Sequence, residues 1–386
     1  MKAVVWQGAA ELRVTQVPDP QLRNEQDAII RVRKSVTCGS DLRLLGGHGP
    51  FLRRGDVLGH EFLGEVVEVG PRVRRHRVGD RVVVCSFISC GRCWHCRQED
   101  YSLCDNADTE ATGYIAPGGC YGSSPALGGF AGSHAEYVRV PYADQGAFNV
   151  PDGVSDERAL FASDSAPTGW MGADLGGVKP GDVVAVWGAG AVGHLAASAA
   201  VLLGAERVIV IDRLDDRLAM ARTHLNVETL NHRTQDVGGE LREHSGGRGP
   251  DVCIEAVGTQ APSTGPRSWC DRVGRRLRPE PDRPVAAREA IRHCRKGGSV
   301  FLLGGHAGPV DRFPLAAVVD KGLTLRGARQ HGQRYIPMLL ERMARGELVT
   351  EHLATHTMPL DQAPQGYQLF QNRLDGCVRA VFEPVE

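Results

Sequence analysis

The sequence predicts an α/β protein that combines a doubly wound parallel sheet with a second region built mainly from β-strands. Residues 181–212 have the pattern of a strand, a glycine-rich turn, a helix and a second strand. Residues 1–150 hold short apolar runs separated by Gly, Pro and Asp turns. A chain of 386 residues is long enough for two cores. We expect residues 1–165 and 327–386 to form one domain and residues 166–326 to form the other.

The most informative stretch begins with a valine-rich run from Asp182 to Trp187, which is too short for a globular helix and is typical of a buried parallel strand. The glycine-rich residues 188–193 follow at once, and an alanine-rich helical pattern then runs to Gly204. The next predicted strand covers Arg207 to Ile211 and ends at Asp212. This order of elements is the fingerprint of a dinucleotide-binding unit.

The three glycines have different expected roles. Gly188 allows the tight turn, Gly190 lets the backbone approach a pyrophosphate, and Gly193 lets the helix pack on the strand. Asp212 can accept hydrogen bonds from the adenosine ribose and would repel a 2′-phosphate, so the sequence favours NAD over NADP. The alternative is a glycine-rich turn that binds nothing. The residues expected to contact the cofactor are Gly188, Gly190, Ala191, Val192, Gly193, Asp212 and Arg213.

Further elements are expected along the chain. In the first region the predicted strands are Ala28–Arg33, Leu63–Val69 and Arg81–Cys85. The later expected elements are strands at Asp251–Gly258, Ser299–Gly305 and Leu323–Gly327, a helix at Pro337–Arg345 and a final strand at Gly376–Phe382. Residues 259–284 are rich in Gly, Pro and Arg without a clean period, and we interpret them as a surface excursion.

Charge and segment composition exclude several classes of protein. A formal net charge of −1 gives no reason to expect a nucleic acid or a membrane surface as partner. The N-terminus lacks the pattern of a signal peptide, and no apolar run reaches the length of a membrane span. We therefore expect a cytoplasmic protein.

Cys90, Cys93, Cys96 and Cys104 form the strongest cysteine signal among the eleven cysteines of the chain. Four thiolates within fifteen residues can surround one zinc ion as a closed tetrahedral site, which stabilises a loop and leaves no position for a substrate. The alternative is four unligated cysteines on a loop.

A second group of possible ligands is dispersed along the chain. Cys38, His60 and Asp164 supply a thiolate, an imidazole and a carboxylate, which zinc accepts while keeping a fourth position open. The spacing alone does not show that these residues meet. Taken singly, Cys38 is compatible with a small buried residue and His60 with a hydrogen-bonded structural histidine.

Several ordered motifs together resemble the zinc-dependent medium-chain dehydrogenase/reductase superfamily of the alcohol dehydrogenase type. They are Cys38-Gly-Ser-Asp41, Gly59-His-Glu61-Phe-Leu-Gly64-Glu-Val-Val, Gly79-Asp-Arg-Val, the four-cysteine cluster and the glycine turn at 188–193. The glutathione-independent formaldehyde dehydrogenase branch is the most similar. It shares Ser163-Asp164-x-x-Pro167-Thr168-Gly169, the stretch Ala135–Asp144 and an insertion after Asp251–Gly258.

The resemblance implies a GroES-like catalytic domain beside the Rossmann domain, with two zinc ions per chain and NAD. It makes Cys38, His60 and Asp164 the catalytic zinc ligands, with Glu61 behind the metal and able to reach it. The supporting residues that it implies are Asp41 on the second ring nitrogen of His60, Ser40 on the alcohol oxygen, Thr168 beside the nicotinamide and Arg379 paired with Glu61.

The chain departs from the family pattern at three positions. Arg43 stands where relatives carry a histidine that passes the proton to solvent, and an arginine cannot do so at neutral pH. The cofactor ribose, His48 or water are the possible substitutes. Gly39 replaces an arginine that some relatives place on the pyrophosphate, and Trp170 replaces a smaller aromatic residue.

The expected reaction is reversible hydride transfer between a small alcohol or hydrated aldehyde and NAD. One rival is an aldehyde dismutase with tightly bound NAD, which has the same motifs. The other is a zinc-ribbon nucleic-acid-binding module, which the charge balance and the complete Rossmann unit disfavour. The resemblance also implies a homodimer or homotetramer. The substrate depends on loops at 46–54 and 117–132, whose glycine content leaves their conformation open.

Overall fold

A computed structural model describes residues 1–8, 11–45, 52–106, 118–123, 127–258, 284–306, 310 and 312–384, with Arg43 described by its backbone alone. In these residues the strands are β1 Lys2–Gly8, β2 Glu11–Gln16, β3 Ala28–Val36, β4 Glu61–Val69, β5 Arg81–Val84, β6 Tyr137–Val140, β7 Ala147–Asn149, β8 Val183–Trp187, β9 Arg207–Asp212, β10 Glu228–Asn231, β11 Val252–Glu255, β12 Ser299–Leu302, β13 Thr324–Gly327, β14 His356–Pro359 and β15 Ala380–Glu383. Nearly all of residues 259–284, and parts of the loops at 46–54 and 117–132, lie outside the described residues, as does His48.

The helices of the same residues are α1 Gly39–Leu45, α2 Trp94–Arg97, α3 Ala143–Gly146, α4 Asp156–Leu160, α5 Ser165–Asp174, α6 Ala191–Leu202, α7 Asp215–Leu225, α8 Val237–His244, α9 Val285–His293, α10 Leu315–Asp320, α11 Gly332–Ala344 and α12 Ala363–Asn372. Short 3₁₀ turns lie at Tyr101–Leu103, Phe161–Ser163, Glu351–Leu353, Leu360–Gln362 and Leu374–Gly376. No helix of the described residues is both long enough and apolar enough to cross a bilayer.

The chain forms two compact units, one from Met1–Pro167 with Arg329–Glu386 and the other from Thr168–Ala328. The first unit contains a mixed sheet in the order β14-β15-β3-β4-β5-β7, with β6 paired to β3, and a separate β1–β2 pair. Alternating apolar residues of β3 and β4 bury one face of this sheet.

The second unit contains a parallel sheet in the order β10-β9-β8-β11-β12-β13. All five residues of β8 are buried, as expected for a strand covered by helices on both faces. The chain moves outward from β8 to β9 and β10, and then returns to place β11 on the other side of β8. This reversal marks the topological switch point, where doubly wound sheets bind ligands at the carboxyl ends of their strands.

Each predicted element has an observed counterpart, but some bounds differ. Strands β11 and β12 end three residues before the predicted ends, and β15 begins at Ala380 instead of Gly376, because residues 374–376 form a 3₁₀ turn. One helix differs more clearly. We expected a helix from Pro337 to Arg345, but α11 begins at Gly332 and carries Pro337 inside it. A contact within the first unit explains the earlier start, because Gln333 Nε2 in the first turn of α11 donates to the carbonyl oxygen of Phe87 at 2.6 Å. Sequence rules place proline at a helix start, and this tertiary contact is invisible to them.

Candidate active site

Two paired strands and a 3₁₀ turn in the first unit bring the dispersed ligands together. Val36, at the end of β3, pairs with Glu61, at the start of β4, so that Cys38 lies next to His60 and Glu61. Val381 of β15 pairs with the same Val36 from the other side. Asp164 follows the 3₁₀ turn Phe161–Ser163 and directly precedes α5.

The structure thus forms a four-residue donor group from Cys38, His60, Glu61 and Asp164. One possible ligand atom from each residue lies within 4.8 Å of every other one. His60 Nε2 and Asp164 Oδ2 are 3.3 Å apart. Two ligands of a tetrahedral zinc ion with bonds near 2.0–2.1 Å are separated by about 3.4 Å. The donor chemistry and this spacing both fit zinc.

Asp41 orients the imidazole of His60. Asp41 Oδ1 lies 3.2 Å from His60 Nδ1, so Nδ1–H faces the carboxylate and the lone pair of Nε2 faces the donor group. The other oxygen of Asp41 accepts hydrogen bonds from the backbone N–H of Cys38 at 2.9 Å and from the hydroxyl of Tyr367 at 3.0 Å. That hydroxyl is also 2.8 Å from His134 Nε2.

These contacts control the charge of both groups. Burial alone would raise the pKa of Asp41, but the charge of His60 and a hydrogen bond with His134 hold it well below its usual range. Burial likewise opposes the charged form of His60, yet the carboxylate of Asp41 and the sulfur of Cys38 raise its pKa well above the ordinary value. The site therefore attracts positive charge, which a bound cation would supply in place of a proton.

Glu61 is held by two buried partners. Ser165 Oγ donates to Glu61 Oε2 at 2.8 Å, and Arg379 Nη2 lies 3.4 Å from Glu61 Oε1. Arg379 also donates to Ser165 Oγ at 2.9 Å and to the carbonyl oxygen of Thr37. Burial raises the pKa of Glu61, and Arg379 acts against that rise. Glu61 Oε1 accepts no hydrogen bond, which leaves a lone pair for a cation.

The remaining predicted substrate and nicotinamide residues lie in different units. Ser40 places its hydroxyl 3.3 Å from His60 Nε2, beside the donor group. Thr168 is the first residue of the second unit, and its neighbour Gly169 is so close to α6 that a Cβ there would lie 2.5 Å from the backbone nitrogen of Ala196.

The four-cysteine segment forms a second donor group. Ligand atoms of Cys90, Cys93, Cys96 and Cys104 also lie within 4.8 Å of one another. Cys93 Sγ and Cys104 Sγ are 3.9 Å apart, close to the separation of about 3.8 Å that two thiolates on one tetrahedral zinc require. The pKa values differ within this group. Against the effect of burial, hydrogen bonds from the backbone N–H groups of Arg92 and Cys93 and from neighbouring thiols lower the pKa of Cys90, whereas burial raises the pKa of Cys96 to about 11 and that of Cys104 well above its usual range. A bound cation would favour the thiolate form of all four.

The glycine-rich turn lies between β8 and α6 in the second unit. Gly188 has φ +103°, which favours glycine. A Cβ on Gly193 would lie 1.7 Å from the carbonyl oxygen of Gly188, so the packing of α6 excludes any side chain. A Cβ on Gly190 would meet nothing closer than Arg217 Nη1 at 3.7 Å. The fold does not need glycine at position 190, which fits the close approach of a pyrophosphate.

Asp212 stands at the end of β9 beside this turn. Its Oδ2 accepts a hydrogen bond from the backbone of Ala189 at 2.7 Å, and its Oδ1 accepts from the backbone of Arg213 at 2.6 Å and of Leu214 at 3.1 Å. Ala191 and Val192 begin α6 directly after its N-cap, Gly190. The backbone contacts fix a negative charge next to the glycine turn.

Sequence reasoning missed several residues that surround the donor group. They are Ser165 on Glu61, Tyr367 and His134 on Asp41, and Ser86 with Gln330 on Asp164. Ser165 stands inside a motif that we quoted and could have been singled out there. Ser86 and Gln330 are 244 positions apart and carry no local signal.

Comparisons with known proteins identify the family. The model of the alcohol dehydrogenase GroES-like domain matches residues 24–152, and that of the zinc-binding dehydrogenase domain matches residues 191–265. An uncharacterized zinc-type alcohol dehydrogenase-like protein of Bacillus subtilis is 34 % identical over the full length of both chains. The solved alcohol dehydrogenase TADH of Thermus sp. ATN1 is 34 % identical, with a TM-score of 0.85 and full coverage of both chains.

The chain therefore belongs to the zinc-dependent alcohol dehydrogenase family of medium-chain dehydrogenases and is an oxidoreductase of that family. The predicted resemblance and fold class are confirmed. The chain is also 36 % identical to the glutathione-independent formaldehyde dehydrogenase of Bacillus subtilis over 287 residues, which are 68 % of each chain. Members of this family act on small alcohols with a nucleotide cofactor.

Proposed function

We propose that the protein transfers hydride reversibly between a small alcohol, or a hydrated aldehyde, and NAD in a zinc-dependent reaction. The observation that carries this proposal is the buried donor group of Cys38, His60, Glu61 and Asp164, whose chemistry and spacing fit zinc. When bound, zinc supplies a Lewis acid for the substrate oxygen, and NAD supplies the hydride acceptor.

The chain's own residues then have distinct tasks. Cys38, His60 and Asp164 hold the metal, and Glu61 is a further ligand within reach. Asp41 fixes the tautomer and plane of His60 through its Nδ1. Ser40 Oγ lies beside His60 Nε2, where it can form a hydrogen bond with the alcohol or alkoxide oxygen of the substrate.

The cofactor residues support NAD in particular. The open space at Gly190 and the N-terminus of α6 suit a pyrophosphate. The fixed carboxylate of Asp212 suits the two hydroxyls of an adenosine ribose and disfavours a 2′-phosphate. We assign Gly188, Gly193, Ala191, Val192 and Arg213 to the same subsite, and Thr168 to the nicotinamide.

The four-cysteine group is proposed as a second zinc site with a structural role, because four sulfurs close the coordination shell and leave no position for substrate. We assign the catalytic role to residues 1–165 with 327–386 and cofactor binding to residues 166–326. We also propose a homodimer or homotetramer and a cytoplasmic location.

The decisive experiment measures NADH formation by the purified protein with formaldehyde, primary alcohols, secondary alcohols and polyols. We expect turnover that is lost on chelation and restored by zinc. The variants Cys38→Ser and His60→Ala should lose turnover and still bind NADH. Aldehyde consumption to equal amounts of alcohol and acid without net NADH would contradict the proposed reaction, and so would unchanged turnover after removal of both metals.

A further inference from the structure

The two carboxylate oxygens of Asp164 have different surroundings. Oδ2 lies 3.3 Å from His60 Nε2, on the side of the donor group. Oδ1 accepts a hydrogen bond from Ser86 Oγ at 3.1 Å. Asp164 is 9 % exposed and Ser86 is completely buried. One oxygen thus faces the donor group while Ser86 holds the other.

The direction of the Ser86 hydroxyl is set by Gln330. An ionised carboxylate only accepts hydrogen bonds, so the Ser86 hydroxyl must donate its one hydrogen to Asp164. It can then only accept a hydrogen bond from any other partner. Gln330 Nε2 is 2.7 Å from Ser86 Oγ and is the donor that this arrangement requires. The amide nitrogen also faces the carbonyl oxygen of Ser163 at 3.4 Å, which favours the same orientation of the amide. The thiol of Cys85 lies 3.6 Å from Nε2 and 3.9 Å from Oε1 and is compatible with either orientation.

The backbone around Gln330 is anchored on both sides. Ser102 Oγ donates to the carbonyl oxygen of Arg329 at 3.0 Å and lies 3.1 Å from His331 Nδ1. Ser102 belongs to the segment between Cys96 and Cys104, so the four-cysteine segment helps to hold residues 329–331. Gln330 itself is 2 % exposed. A rigid amide in a dry environment gives the hydroxyl of Ser86 one preferred direction.

We propose that Gln330 is a positioning residue for the metal ligand Asp164 and acts through the hydroxyl of Ser86. The inference rests on the proposed function, which makes Asp164 a zinc ligand. Without the amide donor, the Ser86 hydroxyl can turn toward other acceptors, and the carboxylate of Asp164 can rotate away from its present orientation toward His60. Loss of such an outer contact typically weakens metal binding about 10–100-fold.

The test compares two glutamines that lie three positions apart. Gln330→Met keeps the length of the side chain and removes the donor to Ser86. Gln333→Met makes the same chemical change at a buried glutamine that donates to the carbonyl oxygen of Phe87 instead. The readout is the affinity of each zinc site, measured by competition with a chromogenic chelator, together with the thermal midpoint of each variant.

We expect Gln330→Met to weaken zinc binding at the site that contains Asp164 about 10–100-fold and to leave zinc binding at the four-cysteine site unchanged. Gln333→Met should leave both zinc affinities within a few-fold of the wild type, even if its thermal midpoint falls. If Gln330→Met does not accumulate as folded protein, Gln330→Glu replaces it, because an ionised carboxylate also lacks the donor. Equal zinc affinities in the variants at 330 and 333 would overturn the positioning role.

A double-mutant cycle tests the route through Ser86. Ser86→Ala should weaken the same zinc site, and Ser86→Ala/Gln330→Met should weaken it little further, because both changes break one chain of contacts. Multiplicative losses would show that Gln330 acts by another route. Asp164→Ala separates the two levels of the argument. If Asp164→Ala keeps both zinc ions at wild-type affinity, the proposed function is wrong. If Asp164→Ala loses one zinc ion but Gln330→Met has no effect on zinc affinity, only the positioning role of Gln330 is wrong.

Discussion

At the scale of single residues, Asp212 is the residue that we expect to determine whether the protein prefers NADH or NADPH. Its carboxylate is fixed by three backbone N–H groups beside the glycine turn. We predict that Asp212→Ala weakens NADH binding about 10–100-fold, equivalent to roughly 1.5–3 kcal/mol for lost hydrogen bonds to a charged acceptor. The same change should reduce the ratio of the affinity for NADH to the affinity for NADPH. Fluorescence titration with both cofactors measures this. Asp216→Ala, at an exposed aspartate of α7, is the matched control and should change neither affinity. A wild-type preference for NADPH would show that Asp212 has been misinterpreted.

Arg379 and Glu61 form a buried ion pair that is bridged by Ser165. Removing one partner of such a pair leaves an uncompensated charge, which typically costs about 3–5 kcal/mol. We predict a loss of this size for Arg379→Met in the free energy of unfolding, measured by urea denaturation of the zinc-loaded protein.

The control for this prediction removes both charges. Glu61→Gln/Arg379→Met removes both charges of this pair and leaves neither partner uncompensated, so it should be more stable than Arg379→Met alone. If the double variant is instead less stable by the sum of both single losses, the two residues stabilise the fold independently.

At the scale of elements, the glycine turn at residues 188–193 contains one glycine that the fold requires and another that only ligand binding requires. A Cβ on Gly193 would collide with the backbone of Gly188, whereas a Cβ on Gly190 meets open space. We predict that Gly193→Ala strongly lowers the thermal midpoint. Gly190→Ala should leave that midpoint nearly unchanged and weaken NADH binding at least tenfold. Thermal unfolding and NADH titration of both variants check this, and normal NADH binding by Gly190→Ala would refute the assignment of the pyrophosphate.

The four-cysteine segment is the second element with a separate test. Cys93→Ser should reduce the zinc content from two ions per chain to one and lower the thermal midpoint, because the segment relies on the metal for order. Elemental analysis and thermal unfolding measure both effects. Cys377→Ser, at a buried cysteine outside both donor groups, is the control and should keep two zinc ions. Unchanged zinc content in Cys93→Ser would eliminate the structural site.

The contrast between local and distant contacts explains what could be predicted from the sequence. The turn at 188–193 and the cysteines at 90–104 are contiguous, so their spacing alone indicates their geometry. Cys38 and His60 meet because β3 and β4 pair in one register, and the turn Phe161–Ser163 brings Asp164 to them. A resemblance was needed to predict that meeting. Gln330 contacts Ser86, which lies 244 positions earlier in the chain, and a single glutamine in a sequence gives no signal that predicts such a contact.

At the scale of the whole molecule, the open edge of the parallel sheet bears on assembly. Within the described residues β13 pairs with β12 on one side only, and most of its residues are exposed. On the preceding helix α10, Leu315 and Val319 are 62 % and 71 % exposed and lie one turn apart. An unpaired strand edge beside exposed apolar side chains is typical of an interface.

We predict that the protein elutes at two or four times its chain mass of 41.6 kDa and that Leu315→Lys/Val319→Lys shifts it toward the monomer, because two charges would have to be buried in the interface. Light scattering coupled to size-exclusion chromatography measures the mass at several concentrations. Val201→Lys changes a 43 % exposed valine on α6 and should keep the wild-type mass. An unchanged mass in the double-lysine variant would place any interface away from this edge, and a wild-type monomer at all concentrations would refute the proposed oligomer.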